Sequence, residues 1–317
     1  MQLGPFLIDL EGQHLSTAEK SLIKHPMVGG IIFFTKNIGS DKASFKGLAS
    51  EIKSINPDLL LLVDQEGGAI QRFKGSAFGD WPDAFSFGKL YDKDANAALN
   101  KVYDMGREIA SLLKSLYIDI NLAPVLDLHT DNAIIGKYRR AFHKDPHIIA
   151  ELAKAFIDGS HSMNVLCCGK HFPGHGACLE DSHIHQSQAN IDSESLKQHI
   201  YPFKELISTQ KLDCIMPAHV LYPQFDPKYI AGFSKYWMQT VLREELGFEK
   251  VIMSDCLSMA GAQLGSISEA AITALNAGCD LVILCEQNRK ELTHILNNLL
   301  DYDWTLESKN RVLTLKE

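Results

Sequence analysis

Eight short apolar runs separated by helix-like stretches constrain this 317-residue chain more than any other feature. The runs are FLIDL (6–10), GGIIFF (29–34), LLLLVDQ (59–65), IDINLAPVLDL (118–128), VLCCGKHF (165–172), CIMPAHV (214–220), VIMSD (251–255) and LVILC (281–285). They are continuous rather than alternating, as expected of parallel strands covered on both faces. Helix-like segments lie between most of them, at 40–54, 96–116, 146–163, 193–208, 235–246, 268–277 and 287–299, and 303–317 is polar, a terminal helix or tail. Strand and helix alternate eight times with no hairpin signal, which predicts the α/β class and a (β/α)₈ TIM barrel. A doubly wound open sheet would show the same alternation, but eight units favour closure. Length alone suggests about two domains. No low-complexity linker or composition shift divides the chain, however, so residues 1–317 are expected to form a single catalytic domain.

Composition narrows the function. A net charge of -8 leaves no basic stripe for a nucleic-acid backbone. The first residues, MQLGPFLIDLEG, lack the basic and apolar regions of a secretory signal. Apolar runs such as LLLLV are far too short to span a bilayer. Seven cysteines, with no CxxC spacing, read as small buried hydrophobes in a reducing compartment. The expectation is a cytoplasmic protein without nucleic-acid or membrane partners.

Ionisable or polar residues close strand after strand: Asp64, Asp127, Lys170 with His171, His219 and Asp255. In barrels the active site is built at that end. Four segments carry the chemistry. LLVDQEGGAIQRF (61–73) places Asp64 before paired glycines, which permit a sharp turn, and ends on Arg72, a fixed charge with a fork of donors. IIGKYRRAFHKDP (134–146) carries Arg139 and Arg140, suited to hydroxyls or an anion at the barrel mouth. GKHFPGHGACLEDSH (169–183) concentrates Lys170, His171, His175, Asp181 and His183, with Pro173, Gly174 and Gly176 marking a loop. The spacing Asp181-x-His183 lets the carboxylate orient the imidazole and stabilise its cation, readying it for proton transfer. VIMSDCLSM (251–259) ends a strand on Asp255, a candidate nucleophile for an anomeric carbon. The spacings HxxxH at 171–175 and HxH at 183–185 also admit a metal reading. HxxxH needs a helix to align both rings, and Pro173-Gly174 opposes one, so neither metal nor cofactor is expected.

With these residues assembled, the chain resembles glycoside hydrolase family 3, and within it the single-domain bacterial β-N-acetylglucosaminidases of peptidoglycan recycling. VDQEGG, KHFPGHG followed by DSH, IMPAHV and SD-x-LSM stand in the family's order over nearly the whole length. The resemblance implies a (β/α)₈ barrel and a retaining exo-enzyme removing terminal β-linked N-acetylglucosamine. It implies Asp255 as nucleophile, His183 as general acid/base and Asp181 as its partner. Asp64, Arg72, Arg140, Lys170 and His171 would bind hydroxyls of the terminal sugar. Arg140 is preferred to Arg139 because Arg140-Ala141-Phe142 best fits the family's Arg-Ser-aromatic run. Three positions depart from the family: Ala69 replaces an arginine, Ala141 a serine and Cys256 an aspartate.

The implied partner is an N-acetylglucosamine-containing saccharide or muropeptide, and the implied state a monomer. Two displacements, with an imidazole as proton carrier in place of the usual second carboxylate, would give net retention. The alternatives are a phosphorylase, in which phosphate resolves the glycosyl-enzyme, a family 3 β-glucosidase and a catalytically silent sugar-binding barrel. The DSH dyad opposes the second. The retained Asp255, Asp181 and His183 oppose the third.

Overall fold

Burial on both faces is what the eight apolar runs achieve. In the computed structural model, which describes residues 3–131, 134–178, 187–262 and 264–316, they form a closed parallel barrel in sequence order. Its strands are β1 (Phe6–Asp9), β2 (Val28–Phe33), β3 (Leu60–Val63), β4 (Ile120–Asn121), β5 (Leu166–Phe172), β6 (Cys214–Pro217), β7 (Val251–Cys256) and β8 (Leu281–Leu284). β1 closes the ring between β2 and β8, with Phe6 opposite Val282 and Ile8 opposite Leu284. Every residue of β1, β2, β3, β6 and β8 is buried, inward ones in the barrel interior and outward ones under helices.

The helices are α1 (Thr17–Ile23), α2 (Lys42–Ile55), α3 (Ala84–Tyr91), α4 (Ala95–Ser115), α5 (Pro146–His161), α6 (Ser193–Ser208), α7 (Ile267–Ala277), α8 (Arg289–Asn298) and α9 (Leu306–Leu313). Local chemistry starts them. Asp41, Asp94, Asp145 and Asp192 each accept a first-turn N–H, and Ser16 and Ser266 form reciprocal capping boxes with Glu19 and Glu269. Where α4 crosses α5, a Cβ on Gly106 would lie 2.2 Å from the Phe156 carbonyl and one on Gly159 2.1 Å from that of Tyr103. Only glycine permits so close a crossing.

Several expectations need correction. α1 and α3 were absent from the sequence reading, being too short to display a helical period. The 235–246 segment winds as a π-helix, Tyr236–Glu245. Two hairpins occur where none was expected. One pairs Gln65–Gly67 with Ile70–Gln71; the other pairs Val220–Tyr222 with Asp226–Ile230, and Ser187–Gln188 adds alongside it. The run 214–220 therefore splits, leaving the barrel at Pro217. The run 118–128 keeps a ladder only over Ile120–Asn121, continuing as an irregular bridge from Val125 to Lys170, because Pro124 brings no N–H. Six of the seven cysteines are buried, but Cys256 is only half-buried.

The N-terminal end of the barrel is stapled by carboxylates. Asp119, Asp213 and Asp280 each precede a strand and accept a backbone N–H from the neighbouring one: Leu61 at 2.9 Å, Cys167 at 2.9 Å and Ile252 at 2.9 Å. Asp280, fully buried, also binds Arg243 at 2.8 Å, Arg311 at 2.8 Å and Ser308 at 2.7 Å. Asp280→Ala would remove the buried carboxylate that Arg243 and Arg311 share, leaving Arg243 only the carbonyls of Phe248 and Lys250. It is expected to lower unfolding stability by about 3–5 kcal/mol in urea titrations. A loss below about 1 kcal/mol would show that the cluster contributes little.

Candidate active site

At the opposite end the polar residues turn toward a cavity. The chain leaves β3 at Asp64, and Gly67 and Gly68, with φ of 97° and 58°, reverse it within a tight hairpin. A Cβ on Gly67 would lie 2.5 Å from the Pro82 carbonyl, so sterics and dihedral both demand glycine there. Buried Gln65 locks the return: its Oε1 accepts the N–H of Arg72 and of Phe73, each at 3.0 Å. This fold-back brings Arg72 onto Asp64, Nη2 to Oδ2 3.1 Å. The Arg72 guanidinium also lies 5.4 Å from the centre of the Phe34 ring, and its buried Nε has no hydrogen-bond partner among the described residues.

From β5, Lys170 reaches between two carboxylates, with Nζ 2.8 Å from Asp64 and 2.7 Å from Glu66. Arg140 grips Glu66 in a two-point fork, Nε to Oε2 2.9 Å and Nη2 to Oε1 2.8 Å. Three cations thus alternate with two carboxylates along the floor, in charge-assisted bonds. Burial opposes ionisation of Glu66, but Arg140 and Lys170 outweigh it and hold its carboxyl down to about 2. Burial likewise opposes the charge on Asp64, and Lys170 and Arg72 hold that carboxyl well below its ordinary value. For such depressed carboxyls the stabilisation is complete above about pH 4–4.5 and is lost as pH falls through the folded pKa. The floor therefore keeps its charge pattern across the neutral and mildly acidic range.

A second pin holds the loop after β5. Asp127 accepts the His171 ring nitrogen Nδ1 at 2.7 Å and the His175 backbone N–H at 2.6 Å. That bond leaves Nε2 of His171 as the nitrogen not committed to Asp127. Burial, reinforced by the nearby His171, lowers the His175 imidazole to about 4. On β7, Asp255 is half-buried and its Oδ1 accepts the Cys256 N–H at 2.7 Å. Buried His219 supports that strand end through the Cys256 carbonyl, 3.1 Å from Nε2.

Asp64, Arg72, Arg140, Lys170, His171 and Asp255 all line one cavity of about 580 Å³, within the usual range for small-molecule sites. Arg139 turns away, its guanidinium on Asp83 at 3.0 Å and on Ser86 at 3.0 Å. Asp181 and His183 lie outside the described residues. The sequence reading assigned no role to Glu66, although it stands inside VDQEGG. The available signal was charge: a buried Lys170 and Arg140 need more than one carboxylate between them. Asp127 was noticed only as a strand-end residue, and its place beneath His171 spans 44 positions. Cys256 also faces the cavity, unlike the buried role expected of it.

Comparison with known proteins agrees with this architecture. The family described as "Glycosyl hydrolase family 3 N terminal domain" matches residues 6–315. The beta-hexosaminidase of Tolumonas auensis is 41% identical over 94% of this chain and 87% of its own length. That of Pasteurella multocida is 41% identical over 94% of this chain and 84% of its own. Native NagZ from Neisseria gonorrhoeae superposes with a TM-score of 0.91 at 37% identity, covering 99% of this chain and 90% of that one. The same protein in complex with N-trifluoroacetyl-D-glucosamine gives 0.89 at 36% identity, with coverage of 99% and 90%. A closed parallel barrel, a cavity at its C-terminal mouth lined by charged strand-end residues, and this end-to-end similarity lead to one conclusion: the chain belongs to glycosyl hydrolase family 3 and is a glycoside hydrolase.

Proposed function

We propose that the protein is a retaining exo-β-N-acetylglucosaminidase, working as one catalytic domain. The observation that carries this reading is the convergence of Asp64, Arg72, Arg140, Lys170, His171 and Asp255 on one cavity. Five of these are cationic or hydrogen-bonding groups suited to the hydroxyls of a single sugar ring, and Asp255 is the remaining carboxylate. The buried Nε of Arg72, without a partner among the described residues, fits the same role, since a buried donor is costly until something supplies an acceptor. The relatives named beta-hexosaminidase, and the neighbour crystallised with an N-acyl-glucosamine, support the sugar assigned.

Asp255 attacks the anomeric carbon as the glycosidic C–O bond breaks, and His183 gives its proton to the departing oxygen. His183 then takes a proton from water, the water oxygen bonds to the same carbon, and Asp255 leaves. Two inversions restore the β configuration. Asp181 orients the imidazole and stabilises its protonated form. The natural substrate in this reading is a peptidoglycan-derived muropeptide in the cytoplasm.

The test compares β-N-acetylglucosaminide, β-glucoside and β-xyloside on one aryl leaving group. The N-acetylglucosaminide is expected to win in kcat/KM by about 10⁴-fold, as when a polar site rejects analogues that leave its groups unpaired. Comparable values for glucoside and N-acetylglucosaminide would overturn the specificity. A proton NMR time course should show the β anomer first. Turnover that requires phosphate, with a sugar phosphate as product, would replace hydrolysis by phosphorolysis.

A further inference from the structure

The cavity is graded from charged floor to aromatic mouth. Lys170 on the floor is 2% exposed, whereas Tyr138 in the same lining is 46% exposed. Seven large apolar or aromatic side chains are conspicuously exposed among the described residues, and Tyr138 is the one that lines this cavity. Exposed apolar side chains scattered singly are ordinary on a protein surface; Tyr138 is set apart by standing in the lining of the sugar site.

The turn carrying it is built to hold it there. On one side, Ile134 and Ile135 are buried in a small cluster with Val125 and Ala141. On the other, Arg139 occupies the left-handed region at φ 56° and is fastened by Asp83, Ser86 and the Phe85 N–H, which donates to its carbonyl at 3.3 Å. Arg139 N–H closes the turn on the Gly136 carbonyl at 2.9 Å, and Arg140 N–H closes it on Ile135 at 3.0 Å. Both flanks are anchored, and Lys137 and Tyr138 are the exposed residues of the segment 134–140. The Lys137 ammonium lies 5.8 Å from the Tyr138 ring centre.

We propose that Tyr138, with Lys137 beside it, forms the leaving-group subsite, taking a pyranose that carries a carboxylate. The proposal rests on the glycosidase reading above. With the terminal sugar on the charged floor, its glycosidic oxygen faces the mouth, and Tyr138 belongs to the lining of that same cavity. A pyranose offers a face of C–H bonds to an aromatic ring, and Tyr supplies a rigid platform with little entropy to lose. The exposed ammonium adds attraction for an anionic substituent on that ring, an interaction that salt screens.

The experiment uses the whole enzyme and three substrates. β-N-acetylglucosaminyl fluoride has too small a leaving group to touch Tyr138. N,N′-diacetylchitobiose has a neutral second sugar. N-acetylglucosaminyl-N-acetylmuramic acid has one bearing a carboxylate. Tyr138→Ala is expected to lower kcat/KM about 10-fold on both disaccharides, equivalent to about 1.4 kcal/mol, and to leave the fluoride unchanged. Tyr138→Trp should keep at least about half of the disaccharide activity, since it retains the aromatic face. Lys137→Ala should lower only the carboxylated disaccharide, by about 3-fold, with the difference vanishing in high salt. Three results would overturn the proposal: equal loss on fluoride and disaccharides, no loss on either disaccharide, or a Lys137→Ala effect no greater on the carboxylated substrate. A wild-type enzyme inactive on all three would instead defeat the glycosidase reading itself.

Discussion

Asp255→Ala is expected to lower kcat on an aryl β-N-acetylglucosaminide by about 10⁴–10⁶-fold, the scale on which enzymes lose activity when a nucleophile is removed. The side chain stands half-buried at the end of β7, in the lining shared with Arg72, Lys170 and His171. The variant should fold normally. The Asp255 side chain accepts the Cys256 N–H at the mouth of the barrel, and the carboxylates that staple the barrel are at its other end. A 2-deoxy-2-fluoro sugar with a good leaving group should accumulate as an ester on Asp255, seen as a mass increase on the peptide containing 251–259. Covalent labelling of any other residue, or retention of near wild-type turnover, would sink the assignment.

The second large effect concerns His183. His183→Ala is expected to cost about 10²–10⁴-fold on substrates whose leaving group needs a proton, such as a disaccharide. On a dinitrophenyl glycoside the first step should be nearly unaffected, because that leaving group departs as a stable anion. Release of the sugar from Asp255 then limits the rate, and azide, which attacks without base assistance, should accelerate it and yield the glycosyl azide. Asp181→Asn should follow the same pattern with a smaller loss, since the imidazole remains but its cation is less stabilised. Equal losses across leaving groups of widely different basicity, together with no azide effect, would remove His183 from this role.

Floor and mouth divide the labour in this reading. The alternating charges of Arg72, Asp64, Lys170, Glu66 and Arg140 hold one another in place before any sugar arrives. Such a prearranged network spends little on reorganisation when substrate binds. Glu66 is central to it, for it touches both Lys170 and Arg140 and is itself almost fully buried.

The sequence by itself determined the eight barrel strands and most of their helices. An apolar run covered on both faces, an Asp or Ser before a helix and a glycine pair in a turn act through neighbours in the chain, so their signals are local. It also marked strand ends that meet at the cavity, because the polar residue interrupting each run is visible in one dimension. The hairpins after β3 and β6 escaped, since three of their strands have two or three residues and no period to read, and the fourth, Asp226–Ile230, carries no apolar run. What only the tertiary structure decided was the pairing of charges. Asp64 and Asp280 are both aspartates beside apolar strands, yet one meets Lys170 at the cavity, 106 positions away, and the other is sealed by Arg243 and Arg311 at the opposite end. The same holds for Arg140 on Glu66 and Arg139 on Asp83: adjacent residues, one inside the cavity and one outside it. Electrostatic partnership depends on distance in space and on exclusion of water. Closure of the barrel sets both, by bringing the ends of distant strands to one mouth.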